Sequence, residues 1–175
     1  MQAIETLKGH SMKYLKTMAW ALVSGVAACS LASDGRVHQV KAAVAAPEQK
    51  AWGIAGNGRS ATRTVEITMT DNMRFTPAHI EVRQGEVLRF VLINKGRMMH
   101  EMVLGTQQEL DRHAAQMLKF PGMEHDEPHM KHVSAGRRGV LAWNFNRAGE
   151  FAFACLIPGH YQAGMRGTIT VRAAP

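Results

Sequence analysis

The chain has 175 residues, of which 46% are hydrophobic and 20% are charged, and it carries a formal net charge of +7. This length and this apolar share predict one globular domain with at most an appended segment. The basic residues are scattered, and only Arg137 and Arg138 adjoin one another. The chain lacks the basic stripe with interleaved aromatic residues that is typical of nucleic-acid binding, so we expect no nucleic-acid partner.

The first 32 residues have the pattern of a secretory signal peptide. The positively charged part contains Lys8, Lys13 and Lys16. An uncharged apolar run follows over 18–28, too short for a membrane span of about 20 residues. We predict cleavage after Ala32 and export to the periplasm. A second processing route stays open, because residues 26–29 resemble a lipobox in which Cys29 would carry a lipid anchor. Met12 is an alternative start.

Residues 33–60 are rich in small and polar residues without periodicity, which predicts a flexible tether. The pattern changes from residue 61 onward, and we assign 61–175 to one folded domain. Apolar and polar residues alternate there with the period of two that indicates half-buried strands. The predicted strands include 63–69, 80–82, 87–94, 102–104, 139–146, 150–155 and 166–172.

A single helix is predicted between these strands, over Thr106–Phe120. Thr106 and Glu109 have the spacing of a capping box, and four apolar side chains recur on one face: Leu110, Ala114, Met117 and Leu118. A Pro-Gly pair ends the helix, and a polar loop follows over 122–132. Short strands separated by turns at this spacing predict an all-β sandwich or barrel in which the helix is an insertion.

Removal of the signal leaves Cys155 as the one cysteine of the mature chain, in an oxidising compartment. Such a cysteine is a buried spectator, a reactive thiol, an intermolecular link or a metal ligand. Phe151, Phe153 and Cys155 alternate along a strand, so the thiol is expected to point inward at the end of the strand. A Pro-Gly turn at 158–159 then returns the chain and brings His160 and Met165 near the thiol. These surroundings favour a metal ligand.

The donors Cys155, His160 and Met165 predict copper. Thiolate and thioether suit Cu(I), imidazole suits both oxidation states, and two histidines with one cysteine and a distant axial methionine form a blue-copper site. Structural zinc sites favour four strong ligands, and methionine would be a poor fourth. The second histidine has to come from elsewhere. His100 is the candidate, because it follows the turn after the predicted central strand 87–94.

The segment Arg63–Val171 resembles the cupredoxins, the plastocyanin and azurin superfamily. It has a histidine on an early strand, the loop Cys155-x4-His160-x4-Met165 and a closing strand, GTITV. The resemblance implies a Greek-key β-sandwich or barrel with one type 1 copper. It implies that His100, Cys155 and His160 are the equatorial ligands and Met165 is the axial ligand. Four stretches are most similar to the exported copper-resistance cupredoxins of bacteria: MMHEMVLGT, ELDRHAAQM, PGMEHDEPHM and FACLIPGHYQAGM.

This resemblance implies a periplasmic protein that binds one Cu(I) or Cu(II), can transfer one electron and serves copper tolerance. The alternative is a dedicated respiratory electron carrier that docks on redox partners through the surface around His160. A copper oxidase or reductase is less favoured, since such enzymes add a catalytic copper, usually at a domain or subunit boundary. We therefore expect no enzymatic activity. The expected partners are the copper ion and a redox or copper-handling protein, with membrane attachment only through Cys29.

A second group of methionine and histidine residues lies between the predicted helix and the next strand. The helix carries His113 and Met117, and the loop carries Met123, His125, His129, Met130 and His132. Thioether and imidazole donors on one loop could hold a weaker second copper. In the simpler interpretation Met117 packs in the core and the loop histidines are solvated. The sequence leaves both interpretations open.

Overall fold

The computed structural model of the protein describes residues 46–123 and 126–174. The predicted signal peptide and residues 33–45 of the predicted tether lie outside the described residues. The elements of the described part are β1 Gln49–Lys50, β2 Gly53–Ala55, a 3-10 turn Gly58–Ser60, β3 Arg63–Thr70, β4 Arg74–Thr76, β5 His79–Arg83, β6 Val87–Asn94, β7 His100–Gly105, α1 Gln107–Lys119, β8 Met130–Val133, β9 Arg138–Asn144, β10 Gly149–Ala154 and β11 Arg166–Arg172.

The strands form two sheets. One has six strands in the order β1-β2-β9-β6-β3-β4, and the other has five in the order β5-β11-β10-β7-β8. β3 pairs with β6 in parallel, β5 pairs with β11 in parallel, and the other neighbours are antiparallel. Successive strands repeatedly cross from one sheet to the other, as in Greek-key sandwiches. The predicted all-β sandwich with one inserted helix is confirmed.

The main hydrophobic core lies between the two sheets. β6 shows why, because its side chains alternate between fully buried and partly exposed, and Leu88, Phe90 and Leu92 all point inward. Across the core, the rings of Phe75 and Phe153 meet edge to face with centroids 5.0 Å apart. Such contacts between the inner faces of two sheets supply most of the driving force for a sandwich.

Helix α1 covers the outer face of the five-stranded sheet. All six residues of β7 are buried, because Met102 and Leu104 face the main core while Val103 packs in a second cluster with the helix. The predicted capping box is present, with the Thr106 hydroxyl accepting from the Glu109 backbone N–H at 3.2 Å. The prediction that Leu118 lies on the buried face is wrong, since its side chain is 52% exposed.

Two stretches predicted as irregular are ordered parts of the sheets. Residues 49–60 were expected in the tether, but β1 and β2 extend the six-stranded sheet there. Trp52 is 4% exposed, and its carbonyl oxygen accepts from the Trp143 ring N–H at 2.9 Å. The predicted polar loop 122–132 likewise contains the start of β8. Strands of two to four residues are too short to show periodicity in a sequence, which is why both were missed.

Among the described residues, no helix has the length and apolar character that crossing a membrane requires.

Candidate metal centre

His100 begins β7 and is held from outside the site by Asp71. Its Nε2 lies 3.1 Å from Asp71 Oδ1, and the imidazole is fully buried. Its Nδ1 is also buried and has no hydrogen-bond partner among the described residues. A carboxylate on one ring nitrogen fixes the tautomer and leaves the other nitrogen as the lone-pair donor, as for histidines that bind metals. Nδ1 of His100 is therefore available as a ligand atom.

The loop after β10 positions three more donors. Residues 157–160 form a turn in which the His160 N–H donates to the Ile157 carbonyl at 3.0 Å. Proline precedes Gly159, whose φ of +89° suits the second central position of a type II turn. The loop closes on itself, because Cys155 N–H donates to the Met165 carbonyl at 3.0 Å and Met165 N–H donates to the His160 carbonyl at 3.1 Å. The turn predicted at 158–159 is present.

The donors converge on one point. The ligand atoms of His100, Cys155 and His160 all lie within 4.8 Å of one another, and Cys155 Sγ is 3.3 Å from His160 Nδ1. The two imidazole centroids are 5.0 Å apart. Met165 is fully buried in the same core cluster as Cys155. The structure thus brings together the three predicted equatorial residues and places the predicted axial residue in the same core, bonded through its backbone to two of them.

Burial controls the protonation of these side chains. Removal from water raises the pKa of the Cys155 thiol to about 12, although the backbone N–H groups of Glu101 and Ile157 donate to the sulfur and act in the opposite direction. Burial, followed by the charge of His100, lowers the pKa of His160. The site therefore favours a neutral imidazole, and a cation is required to hold the sulfur as thiolate at ordinary pH. This donor set fits copper.

Sequence reasoning missed two acidic residues that support the site. Asp71 also accepts from the Arg97 backbone N–H at 2.7 Å, and this bond, together with those from the Met98 N–H and His100, lowers the pKa of Asp71. Glu101 is 2% exposed, and its carboxylate accepts from the Leu156 N–H at 2.8 Å. Glu101 is a charged residue directly before the apolar predicted strand 102–104, and that contrast is the signal that could have identified it. Asp71 is distant in sequence and offered no such signal.

The predicted second cluster is divided by the fold. Met117 on helix α1 is buried in the cluster between the helix and the sheet, as the simpler interpretation held, and Met130 is buried in the same cluster. His132 Nε2 lies 2.7 Å from Glu101 Oε2 and belongs to the support of the main site. His125 lies outside the described residues. Among the described members of the wider group, three line one cavity: His113, Met123 and His129.

This combination of a Greek-key sandwich and a buried cysteine between two histidines defines a cupredoxin. A family model of copper-binding proteins, the plastocyanin/azurin family, matches residues 61–172, and the chain belongs to that family. Copper is the cofactor that this family and this donor set define.

The particular relatives are copper-resistant cuproproteins. The chain is 50% identical over 121 residues to the copper-resistant cuproprotein CopI of Rubrivivax gelatinosus, covering 69% of this chain and 73% of that protein. It is 34% identical over 152 residues to CopI of Pseudomonas aeruginosa, covering 70% of this chain and 83% of that protein.

Among solved structures, auracyanin B superposes with a TM-score of 0.56 at 21% identity, covering 69% of this chain and 94% of auracyanin. The azurin Az-iso2 of Methylomonas sp. strain J superposes with a TM-score of 0.54 at 18% identity, covering 64% of this chain and 99% of the azurin. These two likenesses concern the fold alone.

Proposed function

We propose that the protein holds one type 1 copper through His100, Cys155 and His160, with Met165 as the axial ligand. The observation that carries this proposal is the convergence of three donor atoms within 4.8 Å in a buried place. The thiolate and thioether suit Cu(I), and the two imidazoles suit both oxidation states. When bound, the copper supplies a one-electron couple between Cu(I) and Cu(II).

The residues of the chain keep the site nearly constant through such a change. The carboxylate of Asp71 holds the His100 ring, and the backbone bonds of Met165 hold the ends of the ligand loop. Two backbone N–H groups point at the sulfur of Cys155 and stabilise its negative charge. Donors that are held by hydrogen bonds do not have to rearrange when the charge of the ion changes.

The ligand assignment is tested by the colour of the purified protein. Addition of Cu(II) should produce an intense visible absorption from charge transfer between thiolate and copper. Cys155→Ser should abolish that band, whereas His79→Asn, which changes an exposed histidine on β5, should retain it. Retention of the band in Cys155→Ser would refute the assignment.

We further propose that the protein acts in the periplasm and serves copper tolerance. Support comes from the resistance named for its CopI relatives and from the predicted signal over 1–32, with the alternative lipid anchor at Cys29. Its partners would be the copper ion and a protein that receives copper or electrons. The four protein donors leave no evident coordination position for a substrate, so we propose no enzymatic activity.

A deletion strain tests this role. It should grow more poorly in elevated copper than its parent, and the wild-type gene should restore growth while the Cys155→Ser gene should not. Fractionation of cells should recover the protein with periplasmic proteins, or with membranes if Cys29 is lipidated. Normal growth in copper, together with a respiratory defect, would instead favour the second candidate.

That second candidate is a dedicated electron carrier, and one observation favours it. His160 is 9% exposed and is the one described histidine of the site that reaches the surface, since His100 is fully buried. Met98 and Met99, just before His100 in the chain, are 41% and 49% exposed. An exposed ligand edge is a route for an electron to a docked redox partner. Reduction by purified respiratory proteins at rates that depend on ionic strength would support this role.

A further inference from the structure

A buried carboxylate lies next to the first copper ligand of the chain. Glu101 follows His100 on β7 and is 2% exposed. Side chains alternate along a strand, and Val103 packs under helix α1 while Met102 faces the main core that contains Cys155. The Glu101 side chain therefore points to the α1 side of the sheet, away from the ligand atoms. Isolated buried carboxylates are costly, so its position needs a physical reason other than ligation.

Each oxygen of this carboxylate faces a nitrogen atom. Oε1 accepts from the Leu156 backbone N–H at 2.8 Å, and Oε2 lies 2.7 Å from His132 Nε2. Leu156 directly follows Cys155, so the first contact holds the start of the ligand loop. His132 stands opposite Glu101 in the pairing of β7 with β8, and its side chain is 36% exposed. Two nitrogen neighbours suit an ionised carboxylate, which only accepts hydrogen bonds.

The charge of Glu101 reaches the sulfur of Cys155. Burial is the main cause of the raised pKa of Cys155, and the negative charge of Glu101 acts in the same direction. Buried charges are poorly screened, so the same carboxylate also acts on a cation bound to that sulfur. A nearby negative charge stabilises Cu(II) more than Cu(I), because Cu(II) carries one more positive charge.

We propose that Glu101 is a positioning residue of the copper site that lowers the reduction potential of the bound ion. Its carboxylate anchors the chain at Leu156, and its charge favours Cu(II) at the sulfur of Cys155. His132 faces the second oxygen and keeps the carboxylate in place. This role requires the proposed type 1 copper, whose preference for Cu(II) over Cu(I) it increases.

The reduction potential of the purified, copper-loaded protein, measured by voltammetry, tests this role. Glu101→Gln keeps the shape of the side chain and an oxygen for the Leu156 N–H, but it removes the charge. The ratio of Cu(II) to Cu(I) affinity should fall by about tenfold or more, and a tenfold fall raises the potential of a one-electron couple by about 59 mV. Glu66→Gln is the matched control, because it removes one negative charge from an exposed position on β3 and should keep the wild-type potential.

A second pair of variants keeps the test decisive if Glu101→Gln does not fold. The amide NH₂ of that variant faces His132 Nε2, where two donors can meet, and His132→Gln supplies an amide oxygen in place of the imidazole. The double variant Glu101→Gln with His132→Gln differs from His132→Gln alone only in the charge at position 101. The double variant should therefore have the higher potential of the two.

The thiolate–Cu(II) band separates the role of Glu101 from that of the ligands. A wild type without the band would refute the ligand assignment itself. With the band present, a rise in potential confined to the variants that lose the Glu101 charge would support the role. A potential equal to or below that of the matched protein with Glu101, or an equal rise in Glu66→Gln, would overturn it. A merely structural contact would change the free energy of unfolding and leave the potential unmoved.

Discussion

Replacement of Asp71 by asparagine should weaken copper binding without removing a ligand. One carboxylate oxygen of Asp71 faces His100 Nε2 at 3.1 Å, and the other accepts from the Arg97 N–H at 2.7 Å. Asparagine has a single oxygen. If that oxygen faces Arg97, the amide N–H₂ faces His100 and forces Nε2 to accept, which moves the ring proton to Nδ1, the atom needed for copper. If the oxygen faces His100 instead, the amide N–H₂ faces the Arg97 N–H, and these two donors repel one another.

The first orientation disfavours the binding tautomer of His100, and the second keeps that tautomer only at the cost of a repulsive contact with the Arg97 N–H. Changes to the residue that orients a metal-bound histidine lower metal affinity by about 10–100-fold, and we expect Asp71→Asn to fall within that range. Competition with a copper chelator of known affinity measures the change. The thiolate–copper band should persist at saturating copper, since Cys155 and His160 are untouched.

Glu66→Gln provides the control, because it removes one negative charge from an exposed position on β3 and touches no ligand. It should bind copper as the wild type does. An Asp71→Asn affinity within twofold of the wild type would show that the Asp71 contact does not set the His100 tautomer. An equal loss of copper affinity in both variants would mean that the effect comes from the change in net charge and not from the contact with His100.

Three further outcomes follow from the same geometry. Without copper, Cys155 should react with a thiol reagent at pH 8 roughly 10³-fold more slowly in the folded than in the unfolded chain, because burial raises its pKa from 9.0 to about 12 and depletes the thiolate. The folded rate should rise with pH up to that value, and equal rates in both states would contradict the burial argument. Met165→Leu should keep copper bound but raise its reduction potential in voltammetry, since a weak electron donor is lost, and an unchanged or lower potential would argue against axial ligation. Gly96→Ala would place a methyl group into the Asp71 carboxylate and should weaken copper binding. Combined with Asp71→Asn it should add little, and fully additive losses would mean that the two changes act separately.

Much of this architecture could be predicted from local patterns. Alternation in Val87–Asn94 and Arg166–Arg172 predicts strands that the structure has at the same bounds. The capping box at Thr106 places the start of the helix correctly. These features are local, since period-two burial and caps depend on residues a few positions apart. The all-β fold, which this alternation predicts, is confirmed, and so is the family, which was predicted from the resemblance of the loop that carries Cys155, His160 and Met165.

The errors occur where local pattern carries no information. Residues 49–60 look like a tether, yet Trp52 lies in the core because Trp143, 91 residues away, pairs with it. Met117, Met123 and Met130 belong to the same methionine- and histidine-rich stretch of the sequence. Met117 and Met130 are buried in the cluster between helix α1 and the sheet, whereas Met123 is largely exposed. Whether a methionine is core or ligand depends on the element packed against it, which the sequence does not state.

The sequence by itself determined the donor set. Cys155, His160 and Met165 stand on one loop, and thiolate, imidazole and thioether select copper by their chemistry wherever the loop lies. Their roles as ligands remain a prediction that the colour experiment tests. Only the tertiary structure decided the positions, the tautomer and the protonation of the donors. It brought His100 to the loop across 55 residues, supplied the Asp71 carboxylate that leaves Nδ1 free, and buried the thiol so that a cation is needed to ionise it. The physical reason is that tautomer and pKa depend on burial and on partners from distant strands, which exist only after the two sheets have packed.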